Sequence, residues 1–402
     1  MTQPLLPEST SDLATYRAAG GYGALCASRS DVDLLGDILT TTDLTGLGGA
    51  HFPFARKLSV VLSGPSPRFV VCNAAEDEPG SQKDRTLLER NPHVVLEGSL
   101  LAAAAVGAEV VFVYVSEILV PAIESLSRAL AELDSSPDLL GGVELRIVKA
   151  PTAYVAGEAS AAVEAIAGRD AKPRAQPPYP AESGIEGQPT LVSNCETLAN
   201  LPRVVLAGKA RPHSTWSRLV TLTGDVQAPG VYEVIPDEVS FGELIERAGG
   251  MLEEKDELKA IQPGGPSSAF MPSAAADVLL DDSAIVAAGS QPGCLAVRVL
   301  SRRRCIVEDL CELTSFFARE QCGQCPACRM KTQNYAGLMK KIKEGGGRWE
   351  MLSQFEKIDE FVLDMPSSCA LIAMPTPPIM SGMTLFREDF AAHIEAKVCA
   401  VG

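Results

Sequence analysis

The sharpest chemistry in this 402-residue chain lies in Cys322-Gly-Gln-Cys325-Pro-Ala-Cys328, three thiols at a spacing of three. With Gly and Pro between them, the thiols can converge on one inorganic cluster while backbone N–H groups reach their sulfurs, an iron–sulfur pattern. A [4Fe–4S] cluster needs a fourth ligand, and Cys369 in Pro366-Ser-Ser-Cys369-Ala is the first choice. It follows Cys328 by 40 intervening residues, room for a helical hairpin to return. Cys311 and Cys399 are the alternatives. Structural zinc is the competing chemistry, although zinc sites usually show two C-x₂-C pairs rather than a triplet. Cys26, Cys72, Cys195, Cys294 and Cys305 sit in mostly apolar contexts and read as small buried hydrophobes.

Two further segments could hold a ligand. Gly46-Leu-Gly48-Gly49-Ala-His51-Phe52-Pro is a glycine-rich loop whose N–H groups could close on a phosphate or a flat ring, with Lys57 as a charge partner. It is neither a dinucleotide fingerprint nor a Walker loop, and a purely structural turn is the alternative. Asn73-Ala-Ala75-Glu76-Asp77-Glu78-Pro-Gly directly follows an apolar strand, where ligands of open α/β sheets bind. Three acids there would repel a phosphate and suit hydroxyls or amides; the alternative is a solvated acidic turn capping a helix that starts at Asp84.

The elements that must position these residues begin with an α/β pattern. Phe69–Cys72 and Val110–Val115 read as buried strands, and Val143–Val148 as a third. Asp84–Ala108 reads as one long helix, and Glu117–Leu133 as another with Ile118, Ile123, Leu126 and Leu130 on one side. This alternation implies parallel pairing with right-handed crossovers. Pro173, Pro177, Pro178, Pro180 and Pro189 mark an ordered loop. From about Thr215 to Leu300, strand, Gly/Pro turn, strand and a helix ended by Gly249–Gly250 suggest a small β-grasp module. The remainder is helical, with apolar stripes at Leu310, Leu313 and Phe317 and at Leu338 and Ile342.

Composition narrows the class. Thirty-five Lys+Arg against 51 Asp+Glu give a net charge of -16, which argues against broad capture of nucleic acid or anionic membrane. A 46% hydrophobic content supports large cores. The 11 cysteines are odd in number, so complete intramolecular pairing is impossible. Met1–Asp12 is polar and does not resemble a signal peptide, and Gly98–Ala108 is too short to span a bilayer, so a reduced cytoplasmic protein is expected. Arg302–Arg304 reads as a solvated helix start. Among the histidines, His93 reads as structural, and His51 is the one nearest a candidate site.

The motifs resemble one family in order along nearly the whole chain, from about Tyr16 to Phe390. GLGGAHFPFARKL resembles its GRGGAGFPTGLKW, and CNAAEDEPGSQKDRTLLERNPHVVLEG its NADESEPGTFKDR…ERDPH…EG. YVAGEASA resembles YICGEETA, PTLVSNCETLAN resembles PTTVNNVETLAN, and CGQCPAC resembles CGKCTPCR. The chain thus resembles the NuoF-like, 51 kDa-type flavoprotein component of NADH-oxidising complexes, a family that includes the diaphorases of NAD-linked hydrogenases and formate dehydrogenases. The resemblance implies a Rossmann-like α/β FMN/NADH domain (1–205), a β-grasp SLBB domain (206–300) and a helical iron–sulfur domain (301–402). FMN contacts then fall on Gly46, Gly48, Gly49, Lys57, Asn73, Glu76, Gly157, Glu158, Asn194 and Thr197. Dinucleotide contacts fall on Phe52, Glu78, Tyr154 and Tyr179, and cluster ligation on Cys322, Cys325, Cys328 and Cys369.

Departures gather in the nucleotide region. The family Arg of GRGG is Leu47, the Gly before Phe-Pro is His51, and the Asp of NADE is Ala75. Its Ser is Asp77, the second Glu of GEE is Ala159, and the Lys before the prolines is Gln176. Tyr179 replaces Phe, and Ser193 replaces Asn. The cluster motif has lost nothing. The expected function is hydride transfer from NAD(P)H to FMN, then single electrons to a [4Fe–4S] cluster and to a thioredoxin-like [2Fe–2S] subunit or ferredoxin, with no side chain required as acid or base. The alternatives are an FMN/[4Fe–4S] relay that binds no nucleotide, and a structural subunit with a degenerate flavin site.

Overall fold

A computed structural model describes residues 4–208, 216–253 and 255–399. His213 and the expected β-grasp start at Thr215 lie outside these residues. The described residues form two compact units: those within 1–77, 81–220 and 231–235, and those within 78–80, 221–230 and 236–402.

The first unit is built on a four-stranded parallel sheet. Its strands are β1 (Phe69–Ala74), β2 (Val110–Ser116), β3 (Glu144–Ala150) and β4 (Thr190–Asn194), in the order β3-β2-β1-β4. Parallel sheets require cover on both faces, and the alternation along each strand supplies it. Val70, Cys72, Val111, Val113 and Leu191 join one core with the buried helix Pro92–Val106. Val71, Phe112, Tyr114 and Val192 join a second core with Ala162 and Val163 of helix Ala159–Ile166.

Cys26, read as a buried hydrophobe, is exposed, and two helix expectations are corrected. The single helix over 84–108 is two helices, Lys83–Arg90 and Pro92–Val106, broken at Asn91 (φ -142°, ψ 62°). A proline disfavours helical backbone in the residue before it, and Pro92 then starts the next helix, where its missing N–H costs nothing. The helix expected from Glu117 begins at Val120, again with a proline in its first turn, so Ile118 lies outside it and is 57% exposed. The buried stripe is Ala122, Ser125, Leu126, Ala129 and Leu133.

Strand β5 (Arg218–Gly224) is followed by β6 (Gly230–Val234), then β7 (Leu258–Gln262), β8 (Met271–Pro272) and β9 (Ala296–Ser301). In the second unit β9 runs parallel to the end of β5 and antiparallel to β7. Helix Phe241–Arg247 opens with a reciprocal Ser240/Glu243 capping box and is followed by left-handed Gly249 and Gly250. Helices Ile306–Glu320, Pro326–Lys341, Leu352–Val362 and Thr376–Leu385 follow. Leu310, Tyr335, Met339, Ile342, Phe355 and Ile379 fill their core. Arg302, Arg303 and Arg304 precede the first of these helices and pair with Glu257, with Glu253 and Asp256, and with Asp225. Among the described residues no helix is long and apolar enough to cross a membrane.

Candidate cofactor sites

The chain proceeds from β1 outward to β2 and β3, then returns to place β4 on the other side of β1. That reversal leaves a crevice beyond the carboxyl ends of β1 and β4, where open α/β sheets bind ligands. Asn73 of β1 and Asn194 of β4 stand there, paired in register. Tyr114 is Asn73's neighbour on β2, and Ser193 neighbours Cys72.

Motifs far apart in sequence meet at these two asparagines. The glycine loop lies on Asn194: a Cβ on Gly48 would stand 3.1 Å from Asn194 Cβ. The Leu47 N–H donates to Thr197 Oγ1 at 2.8 Å, pinning the loop to the turn after β4. On the other side Asn73 Nδ2 donates to the Gly157 carbonyl at 2.9 Å, and a Cβ on Gly157 would stand 3.0 Å from the Ala75 carbonyl. Gly46 closes the loop by donating to the Phe52 carbonyl at 2.9 Å. His51 completes the turn with φ 50°, a left-handed backbone that favours glycine.

Polar groups of the motifs bond to one another and to helix ends: Asn194, Glu76 and Glu158, expected as FMN contacts, and Lys83, Asp84 and Glu196, to which the motifs assign no cofactor role. Lys83, 1% exposed, pairs with Asp84 at 2.5 Å and Glu196 at 2.9 Å. Asn194 accepts from Lys83 at 3.1 Å and from the Glu196 N–H at 3.0 Å, and donates to Asp84 at 2.7 Å. Burial pushes the Glu196 carboxyl up, and Lys83 and Arg218 oppose that shift. Glu76 is buried and accepts from Ser81 Oγ (2.6 Å) and from the Asp84 and Arg85 N–H groups (3.0 and 2.9 Å). It therefore caps helix Lys83–Arg90 from within, as a desolvated anchor instead of a solvated turn; burial, then Asp84, pushes its carboxyl up. Glu158 likewise caps helix Ala159–Ile166 through Ser160 and Ala161, and Gln176 donates to its other oxygen at 3.2 Å.

Lys57 is the cation of the site. Its Nζ donates to the Val192 carbonyl of β4 at 2.8 Å. The residue as a whole is half-buried, but its ammonium is hemmed in by protein, and that desolvation pulls it down to about 8. Tyr114 Oη and Ser193 Oγ are buried with no hydrogen-bond partner among the described residues. A desolvated cation and two closely approached glycines suit a ligand that carries negative charge and needs close backbone approach, as FMN does.

The residues expected to meet the dinucleotide are more dispersed. Phe52 is 40% exposed beneath the Arg56 guanidinium, Tyr179 is 54% exposed, and Tyr154 is half-buried at the start of the turn that ends in Gly157. Glu78 goes with the second unit, where it lies against Gly265.

The cysteine triplet occupies the loop between helices Ile306–Glu320 and Pro326–Lys341. Cys328 enters the first turn of the second helix, and Cys369 precedes a short helical turn, Ala370–Ile372. Burial pushes the Cys328 thiol up to about 12, and Cys369, Cys325 and Cys322 add to that shift, so all four sulfurs share one neighbourhood. Cys325 Sγ accepts from the Ser368 N–H at 3.3 Å and Cys322 Sγ from Gln324 at 3.4 Å. Four thiols with hydrogen bonds already aimed at sulfur suit an iron–sulfur cluster.

Comparison with known proteins accords with this geometry. The Nuo51 FMN-binding domain matches residues 39–203, the SLBB domain 219–270, and the NADH-ubiquinone oxidoreductase-F iron-sulfur binding region 310–393. The F 2 subunit of NADH-quinone oxidoreductase from Rhizobium meliloti (strain 1021) is 35% identical, over 96% of this chain and 95% of its own. This chain belongs to the family of NADH-quinone oxidoreductase F subunits. The member from Mycobacterium tuberculosis is 34% identical over 98% of this chain and 92% of its own. Among solved structures, NAD+-reducing [NiFe]-hydrogenase in the H2-reduced state superposes with a TM-score of 0.81 at 30% identity, over 96% of this chain and 67% of that one. The chain is thus an oxidoreductase subunit of the NADH dehydrogenase type, with FMN and a [4Fe–4S] cluster as its cofactors.

Proposed function

We propose that the crevice at Asn73 and Asn194 holds FMN, and that Cys322, Cys325, Cys328 and Cys369 hold the cluster. The observation that carries this reading is the meeting of the glycine loop, the Tyr154–Gly157 turn and the β4 turn on that one register pair. When bound, FMN takes hydride from a reduced nicotinamide nucleotide and releases electrons singly to the [4Fe–4S] cluster.

The residues serve as frame and field. Lys57 offers positive charge to the cofactor from a site that poorly hydrates it. Gly46, Gly48 and Gly49 let backbone approach without side chains in the way, and Thr197 fixes their loop. Asn73 and Asn194 hold the two halves of the crevice; Glu76 and Glu158 hold the helices whose N-termini open onto it. Phe52, Tyr154 and Tyr179 offer aromatic faces for the nucleotide. The acceptor is a thioredoxin-like [2Fe–2S] subunit or ferredoxin in the cytoplasm, reached through the helical segment (301–402), with 1–205 and 206–300 as the flavin and SLBB segments.

Steady-state reduction of a dye acceptor by NADH and by NADPH tests the activity. NADH-dependent turnover is expected; a protein that releases FMN on denaturation yet turns over with neither nucleotide would overturn it in favour of a relay between protein partners.

A further inference from the structure

A second group of soft ligands converges in the helical segment, away from the four cluster cysteines in sequence. Cys305 precedes helix Ile306–Glu320, His393 lies in the helical turn Ala392–Ala396, and Cys399 follows it. Cys305 Sγ, His393 Nε2 and Cys399 Sγ all lie within 4.8 Å of one another, and Cys305 Sγ stands 3.3 Å from His393 Nε2. Cys305 and His393 are each 3% exposed, and Cys399 is half-buried.

The surroundings prepare these atoms to bind a cation. His393 Nδ1 lies 2.9 Å from the Lys343 carbonyl, an acceptor only. Nδ1 must therefore carry the proton, which leaves the Nε2 lone pair directed at Cys305. This is the backbone-carbonyl support that metal-bound histidines commonly have. Both supporting turns are π-helical: Ile342–Gly346, which contains Lys343, and Ala392–Ala396. Lys397 then takes a left-handed φ of 57°, and the Val398 N–H returns to the Ala392 carbonyl at 3.1 Å, which turns Cys399 back toward His393. Asp389, also near Cys305, is already committed to Lys259 and to the Ile306 N–H, each at 2.7 Å.

We propose that Cys305, His393 and Cys399 form a second metal site, for a zinc-class divalent ion, separate from the iron–sulfur cluster. Two thiolates and one imidazole are a soft, borderline set that suits zinc over calcium or magnesium. Bond lengths of about 2.0–2.3 Å in a tetrahedron place ligand atoms roughly 3.3–3.8 Å apart, so the observed cluster need contract only slightly. Water completes the fourth position. On binding, both thiols release their protons to solvent and the ion ties the segment around Cys399 to the start of helix Ile306–Glu320.

Metal analysis of the purified protein tests this. Beside about four irons per chain for the cluster, about one zinc is expected. His393→Gln and Cys399→Ser should each lower zinc at least about tenfold while leaving iron content and the cluster's visible absorption unchanged. Co²⁺ exchanged into the zinc-depleted wild-type protein should show a thiolate-to-cobalt charge-transfer band, a readout that needs no variant. The proposal is overturned if the wild-type protein holds no zinc after supplementation and gives no such band. It is equally overturned if both variants retain zinc, or if non-reducing peptide mapping finds Cys305 and Cys399 joined as a disulfide.

Discussion

Replacing Lys57 by Met should make the cofactor-free protein more stable and the flavin complex weaker, two effects of opposite sign from one substitution. Desolvation lowers Lys57 from its ordinary 10.5 to about 8, so the folded protein resists its charge. The gap of about 2.5 pH units corresponds to roughly 3.4 kcal/mol at about 1.36 kcal/mol per unit. Met keeps the apolar stem but loses the bond to the Val192 carbonyl. An orphaned acceptor costs about 1–3 kcal/mol, which leaves a net gain of about 0.5–2.5 kcal/mol. FMN binding should instead lose a charge-assisted contact worth about 1.5–3 kcal/mol, or about 10–150-fold in Kd. The pH dependence follows from the sign of the shift. Between about 8 and 10.5 the unfolded chain binds more protons at this site than the folded one, so the cofactor-free wild type gains stability across that window relative to K57M. FMN affinity of the wild type should fall over the same rise in pH, as the charge disappears. Urea unfolding of the cofactor-free proteins and flavin-fluorescence titration read the two effects. If K57M is no more stable without FMN and binds FMN as tightly as wild type, Lys57 is not a desolvated cation facing the cofactor.

Further outcomes follow from other residues. His51→Gly should raise stability by about 0.5–1 kcal/mol in urea unfolding, since glycine accepts the left-handed φ of 50° more readily; a loss would show that the imidazole's contacts outweigh the strain. Glu97 is buried and accepts from Tyr16 Oη at 2.6 Å and from the Tyr22 and Leu25 N–H groups at 2.8 and 3.2 Å. Glu97→Ala should cost about 3 kcal/mol or more by leaving these donors orphaned, and Glu97→Gln clearly less. Asp225 is held down at about 2: burial opposes this, but Arg304 and the Ser301 N–H prevail. Its stabilisation is present above pH 3.8 and fades as pH falls toward 2, about 1–2 kcal/mol after allowing for the half-exposed Arg304, and acid unfolding of Asp225→Asn should lack that component.

Strands β1, β2 and β3 were legible as short runs rich in β-branched and aromatic residues, whereas β4 was not, because only Leu191 and Val192 are apolar in Thr190–Asn194. The helix over 84–108 was misjudged because the apolar pattern continues through Asn91–Pro92, whereas the backbone restriction before proline is local and decisive. Ile118 fitted a helical stripe by spacing alone, but the helix starts only at Val120. At the flavin crevice the motif residues were visible, but their partners were not. Whether Glu76 faces solvent, a ligand or a helix terminus depends on where Asp84 and Arg85 point their N–H groups. Lys83 and Glu196 carry no local sign that they pair, because 112 residues lie between them and only the adjacency of β1 and β4 brings them together. Cys305 and His393 were likewise unremarkable one at a time, and only the folded chain puts sulfur beside imidazole.

Anaerobic titration of the purified protein with NADH, followed at flavin and cluster wavelengths, tests the central claim most directly. The flavin absorption should bleach with the first equivalent of nucleotide, which carries the electron pair the flavin takes, and the cluster absorption should fall as further nucleotide supplies the single electron it takes. Full FMN occupancy with no bleaching by NADH, while dithionite bleaches both chromophores, would contradict the assignment of this crevice as a nucleotide-oxidising site.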